Sequence, residues 1–159
     1  MSQDDRLAGL YRTYGAVIYW RCLRLLGERA AAEDAMQETF MRVYRHLDRA
    51  PHGDDAIRWI YRIATNYCLN QLRNQRRRTV SVAALPAQAQ GAIDLGDRDL
   101  ARHVVARAPS DQGAIAWLYH VDGFDQDEVA RIMSVSRRTV INKLAAFSAN
   151  ARKYLARAA

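Results

Sequence analysis

The residues in this sequence that most clearly suggest a binding function are arginines. Many of them lie in two stretches without any acidic residue. The first stretch runs from Ala56 to Ile93 and the second from Val129 to Ala159. Guanidinium groups bind phosphate through their charge and through paired hydrogen bonds. A solvated helix surface would explain either stretch alone. Two such stretches in a chain of net charge +7 indicate a polyanionic partner, and we interpret it as nucleic acid.

Catalytic and metal-binding chemistry finds little support in the residue spacing. The 2 cysteines and 4 histidines are scattered, without the close pairs that hold zinc. The sequence has no nucleophile–base pair and no glycine-rich phosphate loop. We therefore expect neither an enzyme nor a cofactor nor a metal site. Cys22 and Cys68 fall on apolar helical positions, which predicts buried free thiols in a reducing compartment.

The elements that would position these side chains are helices. The chain of 159 residues has only 3 prolines and 8 glycines, and its apolar residues recur at spacings of three and four. The pattern predicts an all-α protein of two small helical domains: residues 1–78 and residues 98–159, joined by a flexible linker at 79–97 that holds Pro86, Gly91 and Gly96. No apolar run is long enough to span a membrane, and the polar N-terminus is not a signal peptide, so we expect a cytoplasmic protein without membrane insertion.

Boundary residues predict where the helices begin and end. The first helix covers about residues 5–26 and ends at Gly27, the second covers about 29–47, and the third is capped by Asp54 or Asp55 and reaches about residue 77. After the linker, a helix starts near residue 98 and ends before Pro109. The next is capped by Ser110 or Asp111 and closed by Gly123.

The C-terminal domain carries a helix-turn-helix pattern. A short helix at about 125–133, with Asp125 and Glu128 in a capping-box arrangement, is followed by a turn containing Val135 and a longer helix capped by Ser136. Helical geometry points four residues away from the buried stripe of the longer helix: Arg138, Ile141, Asn142 and Ala145. An ordinary basic helical hairpin has the same pattern, so both interpretations stay open on this segment alone.

Three segments, in this order, resemble the extracytoplasmic-function sigma factors, which are promoter-recognition subunits of bacterial RNA polymerase. "AEDAMQETFMRVYRHL" at 32–47 resembles the family's helix with a D-x-x-Q-E core. "WIYRIATNYCLNQLRNQRRR" at 59–78 is similar to its W-L-Y-R-I-A-x-N helix with a basic tail. "DGFDQDEVARIMSVSRRTVINKL" at 122–144 resembles its C-terminal helix-turn-helix. With the linker, the resemblance covers nearly the whole chain.

The resemblance implies roles for particular residues and names the partners. It implies core RNA polymerase, promoter DNA and an anti-sigma factor of unknown identity as partners, and three binding sites. The implied polymerase contacts are Asp34, Gln37 and Glu38. The implied contacts to the −10 element are Asn66, which would hold a flipped base, with Arg58, Arg62, Arg73, Arg76, Arg77 and Arg78. The implied contacts to the −35 element are Ser136, Arg137, Arg138, Thr139, Asn142 and Lys143.

Two other functions remain open on the sequence. A helix-turn-helix regulator that acts without polymerase would use only the C-terminal domain. A sigma-like decoy would bind polymerase or a regulator without starting transcription. Ile141, Ala145 and Ala146 stand where the family often carries basic or aromatic DNA contacts, so we expect an atypical or weak −35 contact.

Overall fold

The computed structural model describes residues 1–82 and 97–158, with side chains described at 1–78, 100–109 and 111–157. All regular secondary structure in these ranges is helical, which confirms the all-α prediction. The elements are α1 (Gln3–Leu26), α2 (Arg29–Arg45), a 3₁₀ turn (Leu47–Arg49), α3 (Asp54–Val82), α4 (Asp97–Arg107), α5 (Ser110–Ala116), a π-helical turn (Trp117–Val121), α6 (Gln126–Met133) and α7 (Arg137–Ala158). None of the helices in the described ranges is long and apolar enough to cross a membrane.

The chain divides into two compact units, and the first is Met1–Cys68. Its core lies among α1, α2 and the first half of α3, where small and branched apolar side chains are fully buried: Ile18, Cys22, Leu25, Ala32, Ala35, Val43, Ile60, Ala64 and Cys68. Gly27 ends α1 in the left-handed conformation, with φ 77°, and its N–H donates to the Leu23 carbonyl at 2.8 Å, as the sequence predicts.

Two arginines of α1 form hydrogen bonds that hold the first unit together. Arg6 donates to the carbonyls of Leu47 at 2.9 Å and Ala50 at 2.7 Å, which fastens the start of α1 to the turn after α2. Arg21 is 1% exposed. Its Nε donates to Thr65 Oγ1 at 2.8 Å, and its guanidinium lies 4.5 Å from the centre of the Tyr61 ring. The buried charge is therefore paired with a hydroxyl and an aromatic face.

The second unit is Leu69–Ala159. α5 and α6 pack on α7, and α4 packs on α5 and the π-helical turn. Its core holds Trp117, Leu118, Val129 and Val140, each fully buried. Towards its C-terminal end α7 also contacts α4, because the guanidinium carbon of Arg107 lies 4.3 Å from the centre of the Tyr154 ring.

Helix boundaries differ from the sequence prediction at several places. α2 ends at Arg45 and not near residue 47, and α3 begins at Asp54, so Asp54 and Asp55 lie in its first turn and not before it as caps. α3 continues to Val82, four residues into the predicted linker, because the segment 79–82 contains no proline or glycine that would stop a helix. The rest of that linker, 83–96, lies outside the described residues. Neither Ser110 nor Asp111 caps α5. Pro109 occupies the N-cap position, and Asp111 instead accepts a hydrogen bond from the Gln112 N–H at 2.9 Å.

Candidate nucleic-acid interface

The helix-turn-helix is built by three local hydrogen-bonded turns. Asp125 caps α6, accepting a hydrogen bond from the Glu128 N–H at 2.8 Å. α6 ends at Ser134, which adopts the left-handed conformation with φ 54°, and the Val135 N–H reaches the Ala130 carbonyl at 3.0 Å. Ser136 Oγ then accepts from the Thr139 N–H at 3.1 Å and caps α7. The predicted C-terminal helix-turn-helix is confirmed, with both of its predicted caps.

The outer face of α7 is available to a partner. Val140 and Leu144 are buried beneath it, and the four side chains that the sequence places on the other side are all exposed: Arg138, Ile141, Asn142 and Ala145. The first turn of α7 adds the partial positive charge of a helix N-terminus, which favours an anion such as phosphate. The exposed face therefore combines one arginine and one amide with an apolar strip.

The six residues predicted to contact the −35 element differ in what already binds them. Ser136 and Thr139 form the cap of α7, in which the Ser136 hydroxyl accepts a hydrogen bond from the Thr139 N–H. Arg137 Nε lies 3.3 Å from Gln126 Oε1 and 3.7 Å from Asp127 Oδ1, so it is drawn towards the first turn of α6. Within the described part of the chain, Arg138 and Asn142 make no hydrogen bond or ion pair and are exposed. These two side chains are the best placed of the six to reach a ligand.

Lys143 faces the body of the second unit. Its Nζ lies 2.6 Å from Asp111 Oδ2, which joins α7 to α5. The hydrogen bond from Lys143 is the main cause that holds the pKa of Asp111 below the ordinary carboxyl value of 3.8. An ammonium group engaged in this way is a weaker candidate for phosphate than an uncommitted one, because binding phosphate would cost the existing pair.

The basic end of α3 forms the second cationic surface. Arg76, Arg77 and Arg78 are exposed in successive positions. Arg73 is half-buried, and its Nη1 donates to Asn70 Oδ1 at 3.2 Å while its Nε donates to the Ala108 carbonyl at 3.2 Å. Burial, with a smaller contribution from the nearby Arg77, lowers the pKa of Arg73. Arg73 therefore also fixes the backbone at the end of α4, a role that its sequence position did not indicate.

The earlier part of α3 carries the remaining predicted −10 residues. Arg58 pairs with Asp55 one turn before it, at 2.8 Å, and Arg62 and Asn66 are half-buried on the same helix. The Asn66 amide makes no hydrogen bond to any residue with a described side chain or backbone. Its neighbour Tyr67 lies under Arg42 of α2, with the guanidinium carbon 4.9 Å from the ring centre. Burial first, and then the charge of Glu38, raise the pKa of Tyr67.

The three residues predicted to contact polymerase lie on an acidic surface of α2. Asp34 and Gln37 are exposed, whereas Glu38 is half-buried and accepts from Arg42 Nε at 3.0 Å, with Arg45 at 3.9 Å. The charge of Glu38 is thus largely offset within α2. Asp34 has no such partner among the described residues. The structure places all three residues on one face, with Asp34 carrying the uncompensated charge.

Comparisons with known proteins find sigma factors among the chains that this one is similar to. Residues 10–78, from α1 to the basic end of α3, match the family model of sigma-70 region 2. The chain is 24% identical to the ECF RNA polymerase sigma factor SigW of Bacillus subtilis, over 89% of this chain and 84% of the relative. It is 26% identical to the ECF RNA polymerase sigma factor SigL of Mycobacterium tuberculosis, over 87% of this chain and 82% of the relative.

A solved structure shares the fold. The sigma factor RpoE of Bartonella quintana, crystallised in complex with the anti-sigma factor NepR, superposes with a TM-score of 0.53 at 21% identity. The superposition covers 95% of this chain and 96% of that one.

Proposed function

We propose that the chain is an extracytoplasmic-function sigma factor that binds the core of bacterial RNA polymerase, directs it to promoters with −10 and −35 elements, and helps to open the DNA. The observation that supports this proposal most strongly is the match of residues 10–78 to sigma-70 region 2. The matched segment includes the acidic surface of α2 and the basic end of α3. The helix-turn-helix supplies a separate DNA-binding surface in the same chain. The protein acts as a binding subunit in the cytoplasm and not as an enzyme.

The acidic surface of α2 is the proposed contact to polymerase. Asp34 and Gln37 are exposed and uncommitted, so a basic partner surface gains a charge pair without breaking an existing one. Glu38 takes part through its position on the same face, although Arg42 already offsets its charge. We propose Asp34 as the strongest of the three contacts for this reason.

The proposed −10 surface lies on α3. Asn66 offers an amide with both donors and acceptors, which suits the edge of an unstacked base, and taking a base out of the stack costs a few kcal/mol that such contacts offset. Arg76, Arg77 and Arg78 are the leading phosphate contacts, followed by Arg58 and Arg62. Arg73 comes last, because the Ala108 carbonyl and Asn70 already engage its guanidinium.

The proposed −35 surface is the first two turns of α7. Arg138 reads a guanine edge or binds phosphate, and Asn142, one turn further on, suits an adenine edge. Ser136, Arg137, Thr139 and Lys143 support this surface through the cap and the contacts to α5 and α6. Ile141 and Ala145 complete the face with apolar contact to the groove, so we expect modest sequence discrimination there.

An anti-sigma factor is a further proposed partner. The solved relative of this fold is held by an anti-sigma factor, and exposed apolar side chains beside polar binding surfaces are typical of sites that a protein partner covers. In the first unit such side chains include Trp20, Met41 and Tyr44.

Transcription in vitro tests the proposed function directly. Core RNA polymerase is mixed with the purified chain and with fragments of genomic DNA, and start sites are mapped. We expect new start sites that share −10 and −35 motifs and that need both proteins. Tight binding to core without any initiation would favour a decoy. Specific DNA binding that is equally strong without core would favour a regulator that acts alone.

A further inference from the structure

Arg42 of α2 contacts residues that belong to, or lie beside, both surfaces proposed for the first unit. Its Nε donates to Glu38 Oε1 at 3.0 Å, one helical turn earlier on α2. Its guanidinium carbon also lies over the Tyr67 ring of α3, 4.9 Å from the ring centre. Glu38 is a proposed polymerase contact, and Tyr67 is the neighbour of Asn66, the proposed base contact. One side chain therefore connects the two helices that carry these contacts.

The two contacts of Arg42 are of moderate strength. The Arg42 side chain is 41% exposed and that of Glu38 is 31% exposed, so water screens the ion pair in part. A cation over an aromatic ring at a partly exposed site is also a small term. Contacts of this size favour one arrangement of α2 and α3 without being needed for the fold.

Asn66 depends on that arrangement for its direction. It is half-buried, and its amide makes no hydrogen bond to a residue with a described side chain or backbone. Its direction is therefore set mainly by the helix that carries it. Because Asn66 and Tyr67 are consecutive in a rigid helix, a Tyr67 ring held against α2 also fixes the rotation of α3 at this turn.

We propose that Arg42 and Tyr67 are positioning residues for promoter opening, which hold the turn of α3 that carries Asn66 in register with the polymerase-contact face of α2. This inference rests on the proposed function, and it requires neither residue to touch DNA. A base that leaves the stack is held only where the amide already points at its edge. A small displacement of that amide lowers the rate even though the amide itself is intact.

Arg45 provides the matched control for charge. Its Nη1 lies 3.9 Å from the same Glu38 oxygen, and its side chain is 59% exposed. It takes no part in the contact between Arg42 and Tyr67. Arg45→Gln therefore removes the same charge from the same helix and leaves the connection to α3 in place.

The test compares promoter opening with core binding for the full chain assembled with core RNA polymerase. Permanganate reactivity of unpaired thymines measures opening, and anisotropy of the labelled chain measures core affinity. Arg42→Gln and Tyr67→Leu should each lower opening by roughly two- to fivefold, the size of one partly exposed cation–π contact, and leave core affinity unchanged. The double variant should lose no more than either single variant, because both changes remove one contact. Arg42→Lys and Tyr67→Phe keep a cation and a ring, so they should retain most of the opening, and Arg45→Gln should retain all of it.

Several results would overturn the inference. These are losses that multiply in the double variant, an equal loss in Arg45→Gln, or core affinity that falls as far as opening does. Thermal unfolding followed by circular dichroism checks each fold, and if Tyr67→Leu does not fold, the comparison of Arg42→Gln with Arg45→Gln decides alone. A wild-type chain that opens no promoter would overturn the proposed function and this inference with it, whereas an active wild type with multiplying losses overturns only the inference.

Discussion

At the scale of single residues, the proposed binding surfaces differ in which of their charges already have a partner within the fold. On α7, Arg137 lies against Gln126 and Asp127, and Lys143 pairs with Asp111, which leaves Arg138 uncommitted. On α2, Glu38 is offset by Arg42, whereas Asp34 is not. A charge without an internal partner binds an external one at lower cost, because no existing pair has to break.

The first prediction asks whether DNA binding depends on the position of an arginine on α7 or only on its charge. Arg138→Glu should weaken binding of the holoenzyme to a −35 element by roughly tenfold or more, because a groove contact is lost and a negative charge faces phosphate. Arg152→Glu makes the same charge change on an exposed arginine nearer the far end of α7. Fluorescence anisotropy with labelled promoter DNA at several salt concentrations measures both. Equal losses in the two variants would show that only net charge matters.

The second prediction concerns the Lys143–Asp111 pair and pH. The folded-state pKa of Asp111 lies below its unfolded value, so its contribution to stability is present above the unfolded value of about 3.8 and is lost as pH falls through the folded-state pKa. Asp111→Asn should therefore lower the free energy of unfolding at pH 7, by at most about 1 kcal/mol for a partly exposed pair.

Urea unfolding at several pH values measures this effect. The difference between wild type and Asp111→Asn should shrink below pH ~4, where the wild-type carboxylate is protonated as well. Lys143→Gln is the matched control and should give a similar loss at pH 7. A difference that stays constant down to the lowest pH would contradict the assignment to this ion pair.

At the scale of elements, the sequence predicted a helix end correctly where a single boundary residue sets the local backbone conformation or caps the helix. Gly27, Asp125 and Ser136 were predictable because a positive φ or a side-chain cap depends on the immediate neighbours. The extension of α3 to Val82 was missed because the composition changes at residue 79 without a helix breaker. Arg21 with Thr65, 44 residues apart, had no sequence signal, because such a contact depends on how the helices pack.

The third prediction tests the cap that starts α7. Ser136→Ala removes the acceptor for the Thr139 N–H and should lower the free energy of unfolding of the second unit by about 1 kcal/mol. Ser136→Asp keeps an acceptor and adds a charge favourable at a helix N-terminus, so it should retain stability. It should nevertheless weaken DNA binding, since the same charge repels phosphate. Thermal unfolding and anisotropy on both variants separate the two effects, and unchanged stability of Ser136→Ala would contradict the role of the cap.

At the scale of the whole molecule, the proposed tasks fall on surfaces that carry opposite charge. The acidic face of α2 is suited to a basic protein surface, while α3 and α7 carry exposed arginines, which suit DNA. The two basic stretches without acidic residues predicted nucleic acid, but they could not separate these tasks. The resemblance in the sequence located the candidate residues, and the structure ranks them by exposure and by existing partners.

The fourth prediction is that polymerase binding and DNA opening can be lost separately. Asn66→Ala should reduce promoter opening, measured by permanganate reactivity of unpaired thymines, with little change in core binding. Asp34→Lys should weaken core binding, and Glu33→Lys, an equal charge change at the adjacent exposed residue, should weaken it less. Loss of both activities in Asn66→Ala would indicate misfolding and remove Asn66 from the proposed site.

α7 has a consequence beyond recognition because it is longer than a groove contact needs. Its 22 residues make a rod of about 33 Å, and the Tyr154 contact to Arg107 lies roughly 24 Å along the axis from Arg138. A load applied where DNA would bind is resisted first by the neighbouring contacts to α5 and α6, and the Tyr154 contact holds only the far end of the helix. Pulling experiments that load α7 at Arg138 should therefore disrupt the contacts of its first turns before the Tyr154 contact.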